Sequence, residues 1–397
     1  MANNNKHTGP NVPALRFPEF SGEWETFQLS DLAAYSKERV KMEILSSDNY
    51  VSTENMQQDF AGIKDAISLP SSGTAVEFQV GDILISNIRP YLKKIWLSDR
   101  NGGCSTDVLA LRTKNEKVDS SFLYCCLAND DFVSYVMSGA KGVKMPRGDK
   151  QHILSYNLGV PSVQEQRRIA ELVSLLEKRI STQSKIIEEL TALRSALHHG
   201  IMSTGLEDGS WRMQTLDEVL SERTELNNEG HAVHSVSVSK GIVNQIEYLG
   251  RSFAAKDTSR YHVAYPGDVI YTKSPTGEFP YGIVKQSQIS IKAALSPLYG
   301  VYVPISPEIG YIIHNHFLSA KNALNYLHPL IQKGAKNTIN ITNQRFLQNS
   351  MPLPTNKNAA LLYYNAIKTV SDKIDLEISI LHQLQIQKRK LLNDMFI

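Results

Sequence analysis

The sequence predicts an α+β protein in which two similar mixed α/β domains are joined by two long helices. Two observations predict this fold. Short motifs recur in the same order about 190 residues apart, and two long segments place apolar residues at alternating steps of four and three. The length of 397 residues agrees, because it exceeds what one ordinary hydrophobic core spans.

The recurring motifs form matched pairs along the chain. They are "SGEWETFQLSDL" from Ser21 with "DGSWRMQTLDEVL" from Asp208, "YVSTEN" from Tyr50 with "VSVSKG" from Val236, "VGDILIS" from Val80 with "PGDVIYT" from Pro266, the Gly-Ala-Lys loops from Gly139 and Gly334, and the prolines Pro161 and Pro354. Their shared order and nearly constant offset indicate an internal duplication. The predicted segments are a flexible leader over 1–20, a first domain over 21–160, a helical spacer over 161–206, a second domain over 207–353 and a second helical spacer over 354–397.

Local patterns predict the elements within each domain. Apolar, β-branched runs flank a Gly-Asp turn at Asp82 and again at Asp268, which is typical of strands. Segments 120–139 and 310–327 space their apolar residues three and four apart, which predicts helices. The adjacent Cys125 and Cys126 fall in the first of these helices, so we expect them to be buried.

Each spacer carries a heptad seam. The seam positions are Ile169, Val173, Leu176, Ile180, Gln183, Ile187, Leu190, Arg194, Leu197 and Ile201 in the first spacer, and Ile367, Val370, Ile374, Glu377, Leu381, Leu384, Lys388, Leu391 and Met395 in the second. A parallel pairing in repeat register would oppose Arg194 and Lys388, which is costly for like charges in a partly dry seam. The sequence therefore predicts an antiparallel coiled coil.

One antiparallel register satisfies the polar seam positions, and in it the facing residue numbers sum to 571. The facing pairs are then Arg194 with Glu377, Gln183 with Lys388, Ile187 with Leu384, and Leu190 with Leu381. A seam of this length spans about 50 Å at 1.5 Å per residue, so we expect two domains held apart about a pseudo-twofold axis. The alternative is that each helix packs only on its own domain.

Composition limits the class of protein. An apolar content of 42% and a charged content of 21% are typical of a soluble globular chain, and no apolar run approaches the roughly 18 residues of a membrane span. The polar N-terminus lacks the apolar stretch of a signal peptide. The cysteines, which include Cys104, have no metal-ligand spacing, so we expect a cytoplasmic protein with no membrane association. The net charge of +2 is low for a free-standing DNA-binding protein, so such a role would depend on local patches or on partners.

Two kinds of loop suggest contact with double-stranded DNA, in which two spaced domains would read two half-sites. The loop from Gly139 offers backbone N–H groups and cations to phosphates, and the loop from Gly334 offers amides that suit base edges. The candidate DNA-contacting residues are Lys141, Lys144, Arg147, Lys150, Asn87, Arg89, Tyr91, Lys93, Lys273, Lys336, Asn337, Asn340 and Gln344. The alternative is that these are ordinary solvated loops with glycine for turn geometry.

Four features together resemble a known family: "LRFPEFSGEW", the Gly-Asp strand, the glycine-rich loop, and "VPSVQEQRRIAELVSLLEKRI" at the start of a long helix. They are similar to the specificity subunit of type I restriction–modification systems, and the resemblance covers nearly the whole chain. The second copy departs from it, because "LPTNKNAALLYYNAI" has no counterpart of Glu165 and Gln166. The start of the second long helix is therefore the weaker match to the family.

The resemblance implies a division of labour between subunits. Two target recognition domains would each read half of a bipartite, gapped DNA sequence, and the conserved helices would set the spacer and dock the methyltransferase subunits. Two methyltransferase subunits would use S-adenosylmethionine to methylate adenine N6, and two restriction subunits would cleave DNA with ATP and Mg. The resemblance implies no cofactor and no metal in this chain.

Catalytic signatures agree with a non-catalytic chain. The sequence contains no GxxxxGK[ST] phosphate loop and no Asn/Asp/Ser-Pro-Pro-aromatic motif. His198 and His199 lie near the end of the first spacer, where we expect solvent exposure. Asp82 and Asp268 are the only repeated carboxylates beside strands, and their Gly-Asp turns account for them. Two rival functions remain, a coiled-coil scaffold that binds proteins and an enzyme with a duplicated active site.

Overall fold

The structure is a computed structural model that describes residues 11–251, 254–333 and 339–396. The chain divides into two compact units. Unit 1 comprises residues 1–185 and 379–397, and unit 2 comprises residues 186–378. The predicted domain boundaries fell at the ends of the long helices, whereas the observed division cuts through both helices. Each unit therefore contains part of both helices as well as its mixed α/β segment.

Unit 1 contains ten strands and four short helices within its described part, together with the first part of a long helix. The strands are β1 (Glu25–Gln28), β2 (Ala33–Tyr35), β3 (Arg39–Lys41), β4 (Tyr50–Val51), β5 (Thr74–Phe78), β6 (Ile83–Ser86), β7 (Ile95–Leu97), β8 (Gly102–Cys104), β9 (Val108–Thr113) and β10 (Asn157–Val160). The helices are α1 (Leu29–Leu32), α2 (Ser120–Leu127), α3 (Asp130–Ser138), α4 (Lys150–Leu154) and the long α5 (Val163–Asp208). The helix predicted over 120–139 is thus two helices.

Asn129 causes the break between α2 and α3. The Asn129 side chain accepts a hydrogen bond from the Phe132 backbone N–H and so caps α3, a role in which asparagine is favoured over a mid-helix position. The two helices and the start of α5 cover a four-stranded antiparallel sheet in the order β2-β9-β6-β7. Trp24, Phe122 and Ile169 belong to the apolar core between them. Cys125 and Cys126 are buried, as predicted.

Unit 2 repeats this plan with additional short strands. Its strands are β11 (Trp211–Thr215), β12 (Leu220–Glu222), β13 (His234–Ser237), β14 (Gly241–Asn244), β15 (His262–Ala264), β16 (Val269–Thr272), β17 (Ile283–Gln286), β18 (Ala293–Leu295), β19 (Gly300–Pro304), β20 (Gln332–Lys333), β21 (Ile339–Asn340) and β22 (Ser350–Pro354). Its helices are α6 (Gln245–Leu249), α7 (Pro307–His316), α8 (Ala320–Leu327), α9 (Asn343–Phe346) and the long α10 (Lys357–Met395).

The sheets confirm that the two units share one topology. The order β12-β19-β16-β17 in unit 2 matches β2-β9-β6-β7 in unit 1, and the pair β11-β22 matches β1-β10. Trp24 and Trp211, which the repeat aligns, are both buried in the main core of their unit. None of the described helices is long and apolar enough to cross a membrane.

Within each unit, the two long helices run in opposite directions. In unit 1, Ile169 and Val173 of α5 share a core with Leu392 and Met395 at the end of α10. In unit 2, the later part of α5 meets the beginning of α10, and His198 Nδ1 lies 2.6 Å from the Tyr363 hydroxyl. The early part of one helix therefore packs with the late part of the other, which confirms the antiparallel prediction.

One contact of these helices departs from the predicted register. Lys388 Nζ lies 2.7 Å from Glu177 Oε1, nearly two helical turns before the predicted partner Gln183. Glu377 forms an ion pair with Lys373 of its own helix, and its predicted pairing with Arg194 stays a prediction. A carboxylate satisfies an ammonium group better than an amide does, which favours the observed partner of Lys388. The predicted pairs Ile187–Leu384 and Leu190–Leu381 join residues of different units and stay predictions.

The predicted flexible leader also differs from the structure in its second half. Residues 1–10 lie outside the described residues, but residues 11–20 are bonded to the rest of unit 1. The Leu15 backbone N–H donates to the Asp394 carbonyl at 2.7 Å. The Arg16 guanidinium makes two 2.8 Å hydrogen bonds to the buried Glu165 carboxylate. Arg16 provides the counterion that a carboxylate buried at the start of α5 requires.

Candidate nucleic-acid interface

In unit 1, the candidate residues Asn87, Arg89, Tyr91 and Lys93 lie on a loop that packs against the loop from Gly139. Residues 87–94 connect β6 to β7, and residues 139–150 connect α3 to α4. The Arg89 backbone N–H donates to the Pro146 carbonyl at 2.8 Å, and the Gly148 N–H donates to the Asn87 carbonyl at 3.1 Å. Lys141 and Arg147 exchange two backbone hydrogen bonds of 2.9 Å. We call the combined segments 87–94 and 139–150 the loop surface.

The exposure of the predicted residues divides them into two groups. Those with largely exposed side chains are Lys141, Lys144, Arg147, Lys150, Arg89 and Tyr91. Asn87 differs, because it is buried and its Oδ1 atom has no hydrogen-bond partner. That atom lies 3.0 Å from where a Cβ on Gly148 would stand, so glycine allows the two loops to approach closely. Asn87 therefore supports the loop surface from beneath.

Carboxylates hold three of the cationic side chains on the loop surface. The nitrogen–oxygen distances are 2.7 Å for Lys141–Asp149, 2.8 Å for Arg147–Asp107 and 2.7 Å for Lys93–Asp130. The Lys141 ammonium and two backbone N–H groups of α4 lower the pKa of the Asp149 carboxyl to about 2. The carboxylates reduce the net positive charge of the surface, and a phosphate would compete with them for these cations.

Arg89, Lys144 and Lys150 are different, because none of these side chains makes a hydrogen bond or ion pair within the described residues. All three side chains are exposed. Tyr91 is 49% exposed and lies two residues after Arg89. The loop surface thus combines paired cations, three unpaired cations and an exposed aromatic ring. This mixture suits contact with phosphates and base edges.

The backbone beneath these side chains is strained. Across residues 11–251, 254–333 and 339–396, the non-glycine residues with positive φ are Asp59, Phe60, Arg89 and Lys93, at 55°, 60°, 50° and 55°. They are joined, because Asp59 N–H donates to the Leu92 carbonyl and Phe60 N–H donates to the Lys93 carbonyl. Each such residue costs about 1–3 kcal/mol, and such strain clusters at functional sites. The sequence analysis missed residues 59–60, since no motif signals a left-handed backbone in "QDFAG".

The corresponding loop of unit 2, residues 273–282 between β16 and β17, has a different construction. Gly277 and Gly282 supply its left-handed positions, at φ of 51° and 103°. Lys273 is half-buried, and burial lowers its pKa. Thr276 and Phe279 exchange two backbone hydrogen bonds that close the loop. Glycine satisfies this loop geometry without the strain found in unit 1.

The described residues include only some of the remaining candidate DNA-contacting residues of unit 2. Lys336 and Asn337 lie outside the described residues, as does the side chain of Asn340. Gln344 is exposed in α9. Its neighbour Asn343 donates from Nδ2 to Glu222 at 2.6 Å. The structure therefore brings the predicted residues together in unit 1 and leaves the matching surface of unit 2 undefined, and for both units DNA contact stays a prediction.

The repeated carboxylates have structural partners. Asp82 and Asp268 are each 2% exposed. Asp82 accepts hydrogen bonds from Arg112 and from the Gln79 backbone N–H. Asp268 accepts hydrogen bonds from Arg223 and from the Tyr265 backbone N–H. Each aspartate thus fixes the turn that precedes a central strand, as the Gly-Asp motif predicts.

The expectation that both histidines near the end of α5 are exposed is wrong for His198. His198 is 4% exposed, its ring lies 5.6 Å from that of His316, and burial lowers its pKa to about 3. The pattern missed this because His198 lies one position after the seam residue Leu197, on the side that meets Tyr363. Within the described residues, no cluster of three or more histidine, cysteine or acidic residues could hold a metal ion.

These features define a class of protein: a duplicated α/β chain with two long antiparallel helices and a basic loop surface. Residues 21–192 match the family model described as the type I restriction modification DNA specificity domain. This part of the chain is therefore similar to the DNA specificity domain of type I restriction–modification systems.

Two curated relatives are type I restriction enzyme specificity subunits. The EcoDI subunit of Escherichia coli is 24% identical over 151 residues, which cover 37% of this chain and 33% of the relative. The MjaVIII subunit of Methanocaldococcus jannaschii is 25% identical over 211 residues, which cover 52% of this chain and 47% of the relative. The matches thus span between a third and a half of these relatives.

Two solved structures share the fold across almost the full chain. The specificity subunit of a type I restriction–modification system from M. genitalium superposes with a TM-score of 0.61 and 14% identity, covering 97% of this chain and 99% of that one. A chain from a study of complex assembly and conformational transition of the type I restriction–modification system gives a TM-score of 0.52 and 16% identity, with coverage of 93% and 96%. At these identities the likeness establishes the fold alone.

Proposed function

We propose that this chain is the DNA sequence-recognition subunit of a type I restriction–modification complex. The observation that carries the proposal is the loop surface of unit 1, on which two separate loops gather exposed cations and an exposed aromatic ring. Unit 2 repeats the same topology with different loop residues. Two such units would read two different half-sites of one bipartite target.

Partner subunits would supply the chemistry. Two methyltransferase subunits would bind S-adenosylmethionine and methylate adenine N6, and two restriction subunits would bind ATP and Mg. The complex would act in the cytoplasm. Much of the DNA affinity would come from phosphate contacts of the whole complex, because this chain carries a net charge of only +2.

The long helices α5 and α10 would set the distance between the half-sites and dock the methyltransferase subunits. Deleting one heptad from both helices would shorten them by about 10 Å. The preferred spacer should then change while each half-site stays the same. A spacer that stayed constant after this deletion would contradict the role assigned to the helices.

The alternative is a coiled-coil scaffold that binds proteins through its two units. It predicts no sequence-specific DNA contact with any partner. The loop surface favours DNA, because it carries the unpaired cations Arg89 and Lys144 together with the exposed ring of Tyr91.

A methylome tests the proposal. The chain would be coexpressed with the methyltransferase subunit encoded beside it, in a host without adenine methylation, and N6-methyladenine would be mapped. We expect one bipartite, gapped, asymmetric motif. A soluble complex that produced no methylation, or methylation without a motif, would contradict the proposal and favour the scaffold.

A further inference from the structure

Arg89 combines three properties in unit 1. It is exposed, its guanidinium has no partner within the described residues, and its backbone is left-handed at a φ of 50°. It also precedes Pro90, and the residue before a proline is normally extended. An ordinary surface arginine needs none of this strain. Closure of the loop alone therefore does not account for the left-handed backbone of Arg89.

Hydrogen bonds from several segments fix that conformation. Arg89 N–H donates to the Pro146 carbonyl at 2.8 Å, and its own carbonyl accepts from Leu92 N–H at 2.9 Å. The turn is held from another side by Asp59 and Phe60, whose N–H groups donate to the Leu92 and Lys93 carbonyls at 3.2 and 2.9 Å. The base of the Arg89 side chain is thus placed rigidly while its guanidinium stays free.

Each neighbouring cation lacks one part of this combination. Lys141, Arg147 and Lys93 each have a carboxylate partner, and the unpaired Lys144 and Lys150 have no left-handed backbone. Cations of this kind suit phosphates, which tolerate variation in position. A fixed backbone with a free planar guanidinium suits a base edge, where the bonds need defined geometry.

We propose that Arg89 is a specificity-determining residue that reads a guanine, through two hydrogen bonds to O6 and N7 in the major groove. This arginine–guanine pair is the commonest specific contact between proteins and DNA. The inference rests on the proposed function and adds a base and a residue to it. It assigns the neighbouring cations to phosphates and Asn87 to positioning beneath the loop.

The test compares three variants in the complete coexpressed complex, by the methylome described above. Arg89→Gly removes the guanidinium and tolerates a φ of 50°, so the loop keeps its shape. Arg89→Lys keeps the charge but cannot donate two parallel hydrogen bonds. Lys144→Ala is the matched control, since it removes an unpaired cation of the same surface whose backbone is not left-handed.

We expect both Arg89 variants to relax one guanine position in one half-site, by about 5- to 150-fold in discrimination. The other positions of that half-site, the spacer and the second half-site should be unchanged. Lys144→Ala should lower the extent of methylation at every site and leave the motif intact.

Two results would overturn the assignment. One is an Arg89→Lys complex that keeps the wild-type motif, which would make Arg89 a phosphate contact. The other is an Arg89→Gly complex that methylates every position of the original motif with unchanged selectivity. Failure of the proposed function is distinguishable from both, because the wild-type complex would then produce no bipartite motif.

Discussion

Both units satisfy the carbonyl of the proline before their long helix with a glutamine, but the glutamine comes from different elements. In unit 1, Gln166 on α5 donates to the Pro161 carbonyl at 2.8 Å. In unit 2, Gln214 on β11 donates to the Pro354 carbonyl at 3.2 Å. The repeat aligns the two prolines but not the two glutamines. A buried carbonyl must be satisfied, and any donor within reach will do.

The same substitution of one donor for another occurs at the Gly-Asp turns. Asp82 is bonded by Arg112 on β9, whereas the aligned Asp268 is bonded by Arg223 after β12. The backbone plan is therefore shared while its polar partners have diverged. The same divergence explains why the start of the second long helix has no counterpart of the Glu165–Gln166 pair. Glu165 and Gln166 are 1% and 0% exposed in unit 1, so they serve the fold of this chain.

The largest expected effect follows from the ion pair that only unit 1 possesses at its helix start. Arg16→Ala leaves the Glu165 carboxylate buried without its counterion, which should lower the free energy of unfolding by about 3–5 kcal/mol. Urea unfolding of the full chain at neutral pH would measure it. The control is Arg212→Ala, which breaks the exposed pair with Glu218 and should cost less than about 1 kcal/mol. Equal effects of the two variants would contradict the structural role of Arg16.

The second prediction concerns the stability of unit 2 at acidic pH. Burial lowers the pKa of His198 and of His314 to about 3, and that of His316 to about 4, all in unit 2. The unfolded chain binds these protons near pH 6.5, so the folded state loses stability as pH falls from 6.5 towards 4. The resulting decrease in the free energy of unfolding should reach a few kcal/mol. Hydrogen exchange measured peptide by peptide at pH 7.5 and pH 5 should show unit 2 opening first.

A matched variant tests the histidine assignment. His198→Gln should reduce the acid sensitivity of unit 2 because it removes one of the titrating groups, although it also lowers stability at pH 7.5. His199→Gln, at the exposed neighbour, should change the acid sensitivity and the stability less than His198→Gln does. Equal loss of protection in both units at pH 5 would rule out the histidines as its cause.

The glutamine comparison predicts effects of intermediate size. Gln166→Leu removes donors to the Lys117 and Pro161 carbonyls and an acceptor for Asp119 N–H. Gln214→Leu removes donors to two carbonyls. Each variant should destabilise the chain by about 1–3 kcal/mol, with the larger effect for Gln166. If Gln214→Leu were neutral in urea unfolding, the two glutamines would not share one role.

The smallest effect belongs to the loop surface. Asp107→Asn releases the Arg147 guanidinium, which should then contact a phosphate more readily. Non-specific DNA affinity of the complex should rise, and the slope of log K against log salt should steepen by about one. Asp99→Asn is the control, since Asp99 pairs with Arg100 away from residues 87–94 and 139–150. An unchanged salt slope for Asp107→Asn would show that this carboxylate does not limit DNA contact.

Sequence patterns predicted the parts of the fold that depend on apolar periodicity. The repeat, the strands beside Asp82 and Asp268, and the antiparallel helices follow from where apolar residues recur, and topology depends on that recurrence. The observed partner of Lys388 did not follow, because Glu177 is a carboxylate outside the seam. The spacing of apolar residues alone does not distinguish one helix-pairing register from the neighbouring one.

The site was predicted less completely, for a related reason. Loop composition indicated residues 87–94 and 139–150, but not that backbone hydrogen bonds join them or that residues 59–60 brace them. Left-handed φ at Arg89 is set by those tertiary contacts and opposed by the local sequence, so propensity could not predict it. Burial of His198 likewise depends on Tyr363, which is remote in sequence.

The most direct test of the account is an exchange of one recognition unit. Residues 21–160 would be replaced by the aligned segment of a type I specificity subunit with a known target, and the methylome of the coexpressed complex would be compared with wild type. The account predicts that one half of the bipartite motif changes to the donor's half while the other half and the spacer persist. A motif altered in both halves, or in neither, would contradict the claim that each unit reads its own half-site.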